Sequence, residues 1–381
     1  MESPELTLFN RQRLPTARRW VVKIGSAMLT AGGSGITRAH LTPWVEQMAA
    51  HIASGGELVL VSSGAVAEGM ARLGLRQRPE SLHALQALAA IGQMGLIRAY
   101  EACFIKHGLH AAQVLLSRDD LTNRERYLNA RSTLRTLIDW RVVPVINEND
   151  TVATEELRFG DNDTLSAMVA NLISADLLIL LTDQQGLYER DPRSHPDARL
   201  IEQARADDPA LAAMASESGS GLGRGGMVTK IRAAQLAARS GTATVIAWGG
   251  EPQVLERIGR GENLGTLLTP SQGPQTARKR WIAGHLGAKG RIILDPGAVR
   301  GLREQGRSLL AVGVVGVEGR FARGDLVSCR DQQGREVARG LINYDSEETE
   351  RIKGMASRHF EEILGYLDAP ELIHRDNLAL L

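Results

Sequence analysis

Apolar runs that end in polar turns recur along the first two thirds of the chain: 19–24, 57–61, 110–116, 142–146, 176–181 and 242–247. Most lack strict apolar–polar alternation, which predicts strands buried on both faces of a parallel sheet. Stretches of helical period lie between them. Thr42-Pro43 precedes the apolar face Trp44, Val45, Met48 and Ile52. Further helices are predicted from Ala65, over 83–107 and 123–139, and after Asp163, where Leu165, Met168, Val169, Leu172 and Ile173 share a stripe. Strands alternating with helices predict an α/β fold, an open and mostly parallel sheet sandwiched by helices. From Arg278 the texture changes to short strands and frequent turns, at 291–294, 309–317, 325–328 and 336–338. That pattern predicts a small β-rich, barrel-like module. The expected divisions are a polar, proline-marked arm over 1–18, a main domain over 19–268, a linker over 269–277, and a second domain with a C-terminal extension over 278–381.

Composition narrows the function classes. A chain of 381 residues with 43% hydrophobic content supports two packed cores, and a net charge of +1 makes no bulk demand for nucleic acid or an anionic membrane. Arg278-Lys279-Arg280 beside Trp281 is the one basic cluster next to an aromatic, so the RNA-binding footprint is faint. Cys103 and Cys329 lie far apart and form no metal-ligand spacing, as expected of buried thiols in a reducing compartment. The first residues lack the apolar core of a signal peptide, and no apolar run approaches the ~18 residues of a membrane span. A cytoplasmic protein without a membrane partner is expected.

Candidate chemistry collects at strand ends. The run 142–146 stops in Asn147, Glu148, Asn149 and Asp150, and Gly160-Asp161-Asn162-Asp163 opens the next helix. Either cluster alone is also ordinary turn and cap chemistry. Together they place acids close enough to repel unless cations or ligand donors offset them. Lys23 interrupts an apolar strand end, and Ser62-Ser63-Gly64 joins a strand to a helix start, where free amides favour an anion. Thr182-Asp183 ends another strand. A glycine-rich stretch from Ser218 leads through Gly225-Gly226-Met227-Val228-Thr229 to Lys230. Its Gly221-x-Gly223-x-x-Gly226 spacing lacks the preceding strand of a dinucleotide fingerprint. Lysines, anion-binding turns and clustered acids suit phosphoryl transfer, whose catalysis is mainly positioning and charge neutralisation. A carboxylate acceptor would need no general base, being ionised at pH 7. Its repulsion with the phosphate, about 4 kcal/mol at ~4 Å and an effective dielectric of ~20, would be offset by two lysines and a magnesium ion.

Six segments carry a resemblance in matching order: Val-Lys-Ile-Gly-Ser (22–26), Val-Ser-Ser-Gly-Ala (61–65), Pro-Val-Ile-Asn-Glu-Asn-Asp (144–150), Gly-Asp-Asn-Asp (160–163), Leu-Thr-Asp-Gln-Gln-Gly-Leu-Tyr (181–188) and Gly-Gly-Met-Val-Thr-Lys (225–230). They resemble the glutamate 5-kinases, a group within the amino-acid kinase family. Asp295-Pro296-Gly297-Ala298, 306–310 and 319–325 are similar to the PUA domain that bacterial members append. The resemblance implies ATP-dependent phosphorylation of the L-glutamate γ-carboxylate, the first step towards proline, with magnesium, feedback inhibition by proline and a homo-oligomer. It implies that Lys23 and Lys230 contact the phosphates, that Asp163 orients them, and that Ser63, Asp150 and Asn162 bind glutamate with Asn147 nearby. Thr182, Asp183 and the loop Arg224, Gly225, Gly226, Met227, Val228, Thr229 and Lys230 would hold ATP, and Asp161 and Asp163 would serve the metal. Arg224 departs from the small residue expected there, and either adds a phosphate contact or crowds the nucleotide. Acetylglutamate, aspartate and uridylate kinases share the fold implied, and an RNA-binding factor is the alternative from another class.

Overall fold

The structure, a computed structural model, describes residues 9–29, 35–152, 162–211, 214, 226–271 and 288–381. It divides into two compact units: residues 1–121 with 131–274, and residues 122–130 with 275–381.

In the first unit the strands are β1 (Arg19–Ile24), β2 (Glu57–Ser62), β3 (His110–Leu116), β4 (Val142–Glu148), β5 (Leu177–Thr182), β6 (Gln203–Arg205), β7 (Ala243–Trp248) and β8 (Thr266–Thr269). They form one sheet in the order β3-β4-β2-β1-β5-β7-β8-β6. Only β7 and β8 pair antiparallel among the described residues. From β1 the chain builds outward through β2 on one side, then through β5 and β7 on the other. The carboxyl ends of β1 and β5 are therefore the switch point where an open α/β sheet gathers its ligands.

The helices from residue 26 to residue 259 are α1 (Ser26–Leu29), α2 (Arg38–Ala53), α3 (Ala65–Leu73), α4 (Leu82–Phe104), α5 (Arg118–Thr122), α6 (Arg124–Asp139), α7 (Asn162–Ile173), α8 (Met227–Ala238) and α9 (Val254–Gly259). Val22, Ile24, Leu60, Val145, Ile179 and Val245 pack with Trp44 and Met48 of α2, Leu96 and Tyr100 of α4, and Leu255 and Ile258 of α9. Strand side chains alternate, so Lys23 points to the opposite face, where α7 and α8 lie. By length and composition α4 is the one described helix apolar enough to cross a membrane, and half of that apolar window is buried within the protein.

Three details differ from expectation. The first long helix starts at Arg38, after Thr37, one turn before Thr42-Pro43. Pro43 sits inside it, and the Thr42 hydroxyl donates to the Arg38 carbonyl at 2.8 Å. From Arg11 the N-terminal segment is packed: Arg11–Thr16 is a 3₁₀ helix with Leu14 buried, and the Arg11 guanidinium donates to the carbonyls of Glu202, Glu262, Leu264 and Gly265. The run 309–317 is not one strand, because a 3₁₀ turn over Ala311–Gly313 breaks it.

The second unit has β9 (Gly290–Leu294), β10 (Val314–Gly319), β11 (Leu326–Asp331), β12 (Glu336–Leu341) and β13 (Leu378–Leu380), in the order β10-β9-β11-β12-β13. Its helices are α10 (Pro296–Gln305), α11 (Ser346–Ile352) and α12 (Phe360–Leu364). Asp295 caps α10 by accepting from the Ala298 amide, with Pro296 at the first helical position, and Asp345 and Glu348 form a capping box on α11. Ile292, Leu294, Leu302, Phe321, Val327, Tyr344, Ile352 and Phe360 make a core of their own. Leu128 packs with Leu326, Leu341 and Ala379, and Arg124 pairs with Asp325 at 2.8 Å.

Candidate active site

Lys23 is the fifth residue of a strand buried over nearly its whole length. A charge there is tolerated only with a partner, and α7 supplies one. Lys23 Nζ lies 2.6 Å from Asp163 Oδ1, and Lys230 Nζ lies 3.2 Å from Asp163 Oδ2. Asp163 is 0% exposed, and both lysines are buried. The Thr229 hydroxyl is 2.8 Å from Asp163 Oδ2 and 2.7 Å from the Gly226 carbonyl, so it can donate to either. Burial pushes the Asp163 carboxyl up. The charges of Lys23 and Lys230, with hydrogen bonds from Lys23 and Thr229, outweigh that and hold it well below the usual carboxylate range.

The helix ends sharpen the field. Asp163 in the first turn of α7 is favourable to the helix dipole, whereas Lys230 in the first turn of α8 opposes it. Among the described residues two lysines meet this one carboxylate beside a helix N-terminus. That arrangement attracts an anion.

Lys23 and Lys230 line a cleft of about 300 Å³ beyond the ends of β1 and β5. Gly25, Ser63, Thr182, Asp183, Gly226 and Met227 line it too, so it gathers most of the expected nucleotide residues. Thr182 is buried and donates to Asp183 Oδ1 at 3.1 Å. Tyr188, Arg190, Arg193 and Met214 complete the wall. Sequence reasoning missed the last three, which follow β5 in a segment of prolines, acids and short apolar runs over 190–220. Val228 falls in the first turn of α8 and does not line the cleft. Arg224, Gly225 and Asp161 lie outside the described residues.

Asn147, Asp150 and Asn162 stand apart from that cleft. The ladder between β2 and β4 pairs Leu60 with Val145 and Val61 with Ile146, and goes no further. Beyond it the Asn162 amide fills the gap, donating to the Ser62 carbonyl at 2.5 Å and to Asn147 Oδ1 at 2.9 Å. Asp150 is half-buried in the turn after β4. Ser63 Oγ and Asn147 Nδ2 are buried without a hydrogen-bond partner among the described residues. Such groups call for an occupant, and Ser63 belongs both to this gap and to the cleft.

Among the described residues no protein cage for magnesium is formed: no group of three or more of their His, Cys, Asp or Glu side chains could hold a metal ion. Asp163, expected as a ligand, commits both oxygens to ammonium groups. The residues present thus fit anions rather than a bare cation.

An anion cleft at the switch point of an eight-stranded, mostly parallel sheet, with buried lysines locked on one carboxylate, defines a phosphotransferase class of α/β protein. The sequence profile of the amino acid kinase family matches residues 18–247, and the chain belongs to that family; the PUA domain profile matches residues 290–364. Within the family it stands with proteins named glutamate 5-kinase. It is 62% identical to the one of Chromohalobacter salexigens over 98% of both chains, and 62% identical to that of Thioalkalivibrio sulfidiphilus over 97% of this chain and 99% of the relative. Among solved structures, UMP kinase from Bacillus anthracis superposes with a TM-score of 0.48 at 13% identity, over 67% of this chain and 97% of that one.

Proposed function

We propose that the chain transfers the γ-phosphoryl group of ATP to the γ-carboxylate of L-glutamate, releasing ADP and L-glutamyl 5-phosphate as the first step towards proline. The observation that carries this reading is the Lys23–Asp163–Lys230 cluster, which joins the cleft to the gap between β2 and β4. The names of the relatives supply the amino acid. ATP occupies the cleft with its phosphates on the two lysines and the amide of Gly226. Glutamate occupies the gap, where Asp150 pairs with its ammonium group, Asn162 Oδ1 accepts from that ammonium, and Asn147 and Ser63 donate to its carboxylates.

A carboxylate oxygen attacks the γ-phosphorus, and the bond from that phosphorus to the β,γ-bridging oxygen breaks. No proton moves, since the acceptor is already ionised. What must be overcome is the repulsion of two anions, and Lys23 and Lys230 do so where charge accumulates on the transferring group. Asp163 stays ionised through the cycle and fixes both ammonium groups. Magnesium belongs to this reading as the ion accompanying the triphosphate. Proline as feedback inhibitor, a homo-oligomer and a cytoplasmic location complete the proposal.

The test is trapping of the acyl phosphate with hydroxylamine, using purified protein, ATP and a panel of amino acids. Hydroxamate should form with glutamate and fall with added proline. Equal turnover of aspartate or acetylglutamate, or none with glutamate, would reject the reading.

A further inference from the structure

Where β2 leaves β4, the backbone of β4 loses a neighbour just as it reaches the residues proposed to hold glutamate. After Ile146 no β2 residue pairs with it. A buried carbonyl on that side needs another donor, and the donor comes from α4. Gln93 Nε2 donates to the Glu148 carbonyl at 3.2 Å, and Gln93 Oε1 accepts from Gln113 Nε2 at 3.4 Å. Gln93 is 5% exposed. The bonded carbonyl belongs to the residue between Asn147 and Asn149.

Two neighbouring contacts tie the same helix to the other wall of the gap. Gly92 lets α4 approach α3 backbone to backbone: a methyl group there would fall 1.8 Å from the Ala65 carbonyl, two residues after Ser63. About two turns on, the Tyr100 hydroxyl lies 3.1 Å from the Oγ of Ser62, and the Ser62 carbonyl accepts from Asn162. Tyr100 is fully buried, and burial pushes its hydroxyl up, so it remains a neutral hydrogen-bonding group. One helix therefore touches both lips of the gap, at Ser62–Ala65 and at Glu148.

We infer that Gln93 is a positioning residue for the acceptor. Through the Glu148 carbonyl it sets the spacing of Asn147 and Asp150 against Ser63 and Asn162, and so sets the affinity for glutamate without touching it. The inference rests on the proposed transfer to glutamate. Lys23, Asp163 and Lys230 bond to other elements, so the nucleotide side does not depend on Gln93.

The experiment compares the full chain with Gln93→Met, which keeps the length and removes the donor. Initial rates of hydroxamate formation are measured with glutamate and ATP varied in turn, and circular dichroism confirms the fold. The KM for glutamate should rise roughly fivefold, as for one lost buried hydrogen bond, while kcat and the KM for ATP stay within about twofold. Gln93→Glu, which turns acceptors towards the carbonyl, should raise it further, and it carries the test alone should the methionine variant not fold. An unchanged glutamate KM in a folded variant, or an ATP KM that rises in step, overturns the positioning role. Wild-type protein that makes no hydroxamate from glutamate overturns the parent reading and this inference together.

Discussion

The two units bury polar groups differently, and the difference separates chemistry from architecture. In the second unit the buried polar side chains of Asp331, Asn343 and Thr349 answer to backbone groups or to local partners. Asp331 accepts from the amides of Gln333 and Arg335 and pairs with the Arg335 side chain, Asn343 donates to the Glu371 carbonyl, and Thr349 donates to the Asp345 carbonyl. In the first unit Glu68 and Asp191 likewise pair locally, with Arg72 and Arg193, but Lys23, Asp163 and Lys230 answer to each other across three elements, β1, α7 and α8. Partners that close a turn stabilise a fold. Partners drawn from distant elements to one carboxylate, beside buried groups left unpaired, mark a place built for something else.

The sharpest way to break that contrast is Lys230→Ala. Removing a cation that acts where charge develops should lower kcat by about 10²–10³ with little change in KM. A variant with wild-type kcat would reduce the cluster to architecture. Next in size is Asp163→Asn, which leaves two buried ammonium groups without their anion and should cost about 3–5 kcal/mol in chemical denaturation. The same variant tests a pH dependence. The folded pKa of Asp163 is depressed, so its stabilisation is fully present above the unfolded value of ~3.9 and is lost as pH falls through the folded one. The wild-type melting temperature should therefore drop below about pH 4, and the asparagine variant should show a shallower acid limb.

A smaller effect separates the two halves of the site. Asp150→Ala should raise the KM for glutamate about tenfold, the weight of roughly 1.4 kcal/mol, and leave the KM for ATP unchanged. If ATP binding weakened instead, cleft and gap would be exchanged. The smallest effect on chemistry is expected from removing most of the second unit. A fragment of residues 1–275 should keep hydroxamate production within about twofold. It should melt lower than the full chain, because Leu128 loses Leu326, Leu341 and Ala379 and Arg124 loses Asp325, and re-exposing one leucine costs about 2 kcal/mol. Leu128→Gln should then improve the fragment's solubility. A folded but inactive fragment would show that the two units share the chemistry.

Much of this protein is determined by local sequence. The apolar runs that became β1, β2, β4, β5 and β7 are continuous because both sheet faces are covered, and that pattern needs no partner to be read. Lys23 was conspicuous for the same reason, a charge in a strand with no wet face. Clusters at strand and helix ends were legible because few residue types serve at such ends. Boundaries were less so: Pro43 looked like a helix start, yet it lies within a helix that begins at Arg38.

Tertiary structure alone decided the rest. Which carboxylate meets Lys23 depends on α7 and α8 packing over the face of β1 opposite the main core, and no periodicity encodes that. The gap between β2 and β4 exists only because two strands 80 residues apart in the chain become neighbours and then separate after Val61 and Ile146. Gln93 has no sequence signal at all. A glutamine within an apolar helix is ordinary until the fold brings the Glu148 carbonyl to 3.2 Å from it. Residues 122–130 pack with a sheet whose strands start some 160 residues later. Propensity and patterning act over a few residues, whereas these contacts follow from which surfaces the folded chain brings together.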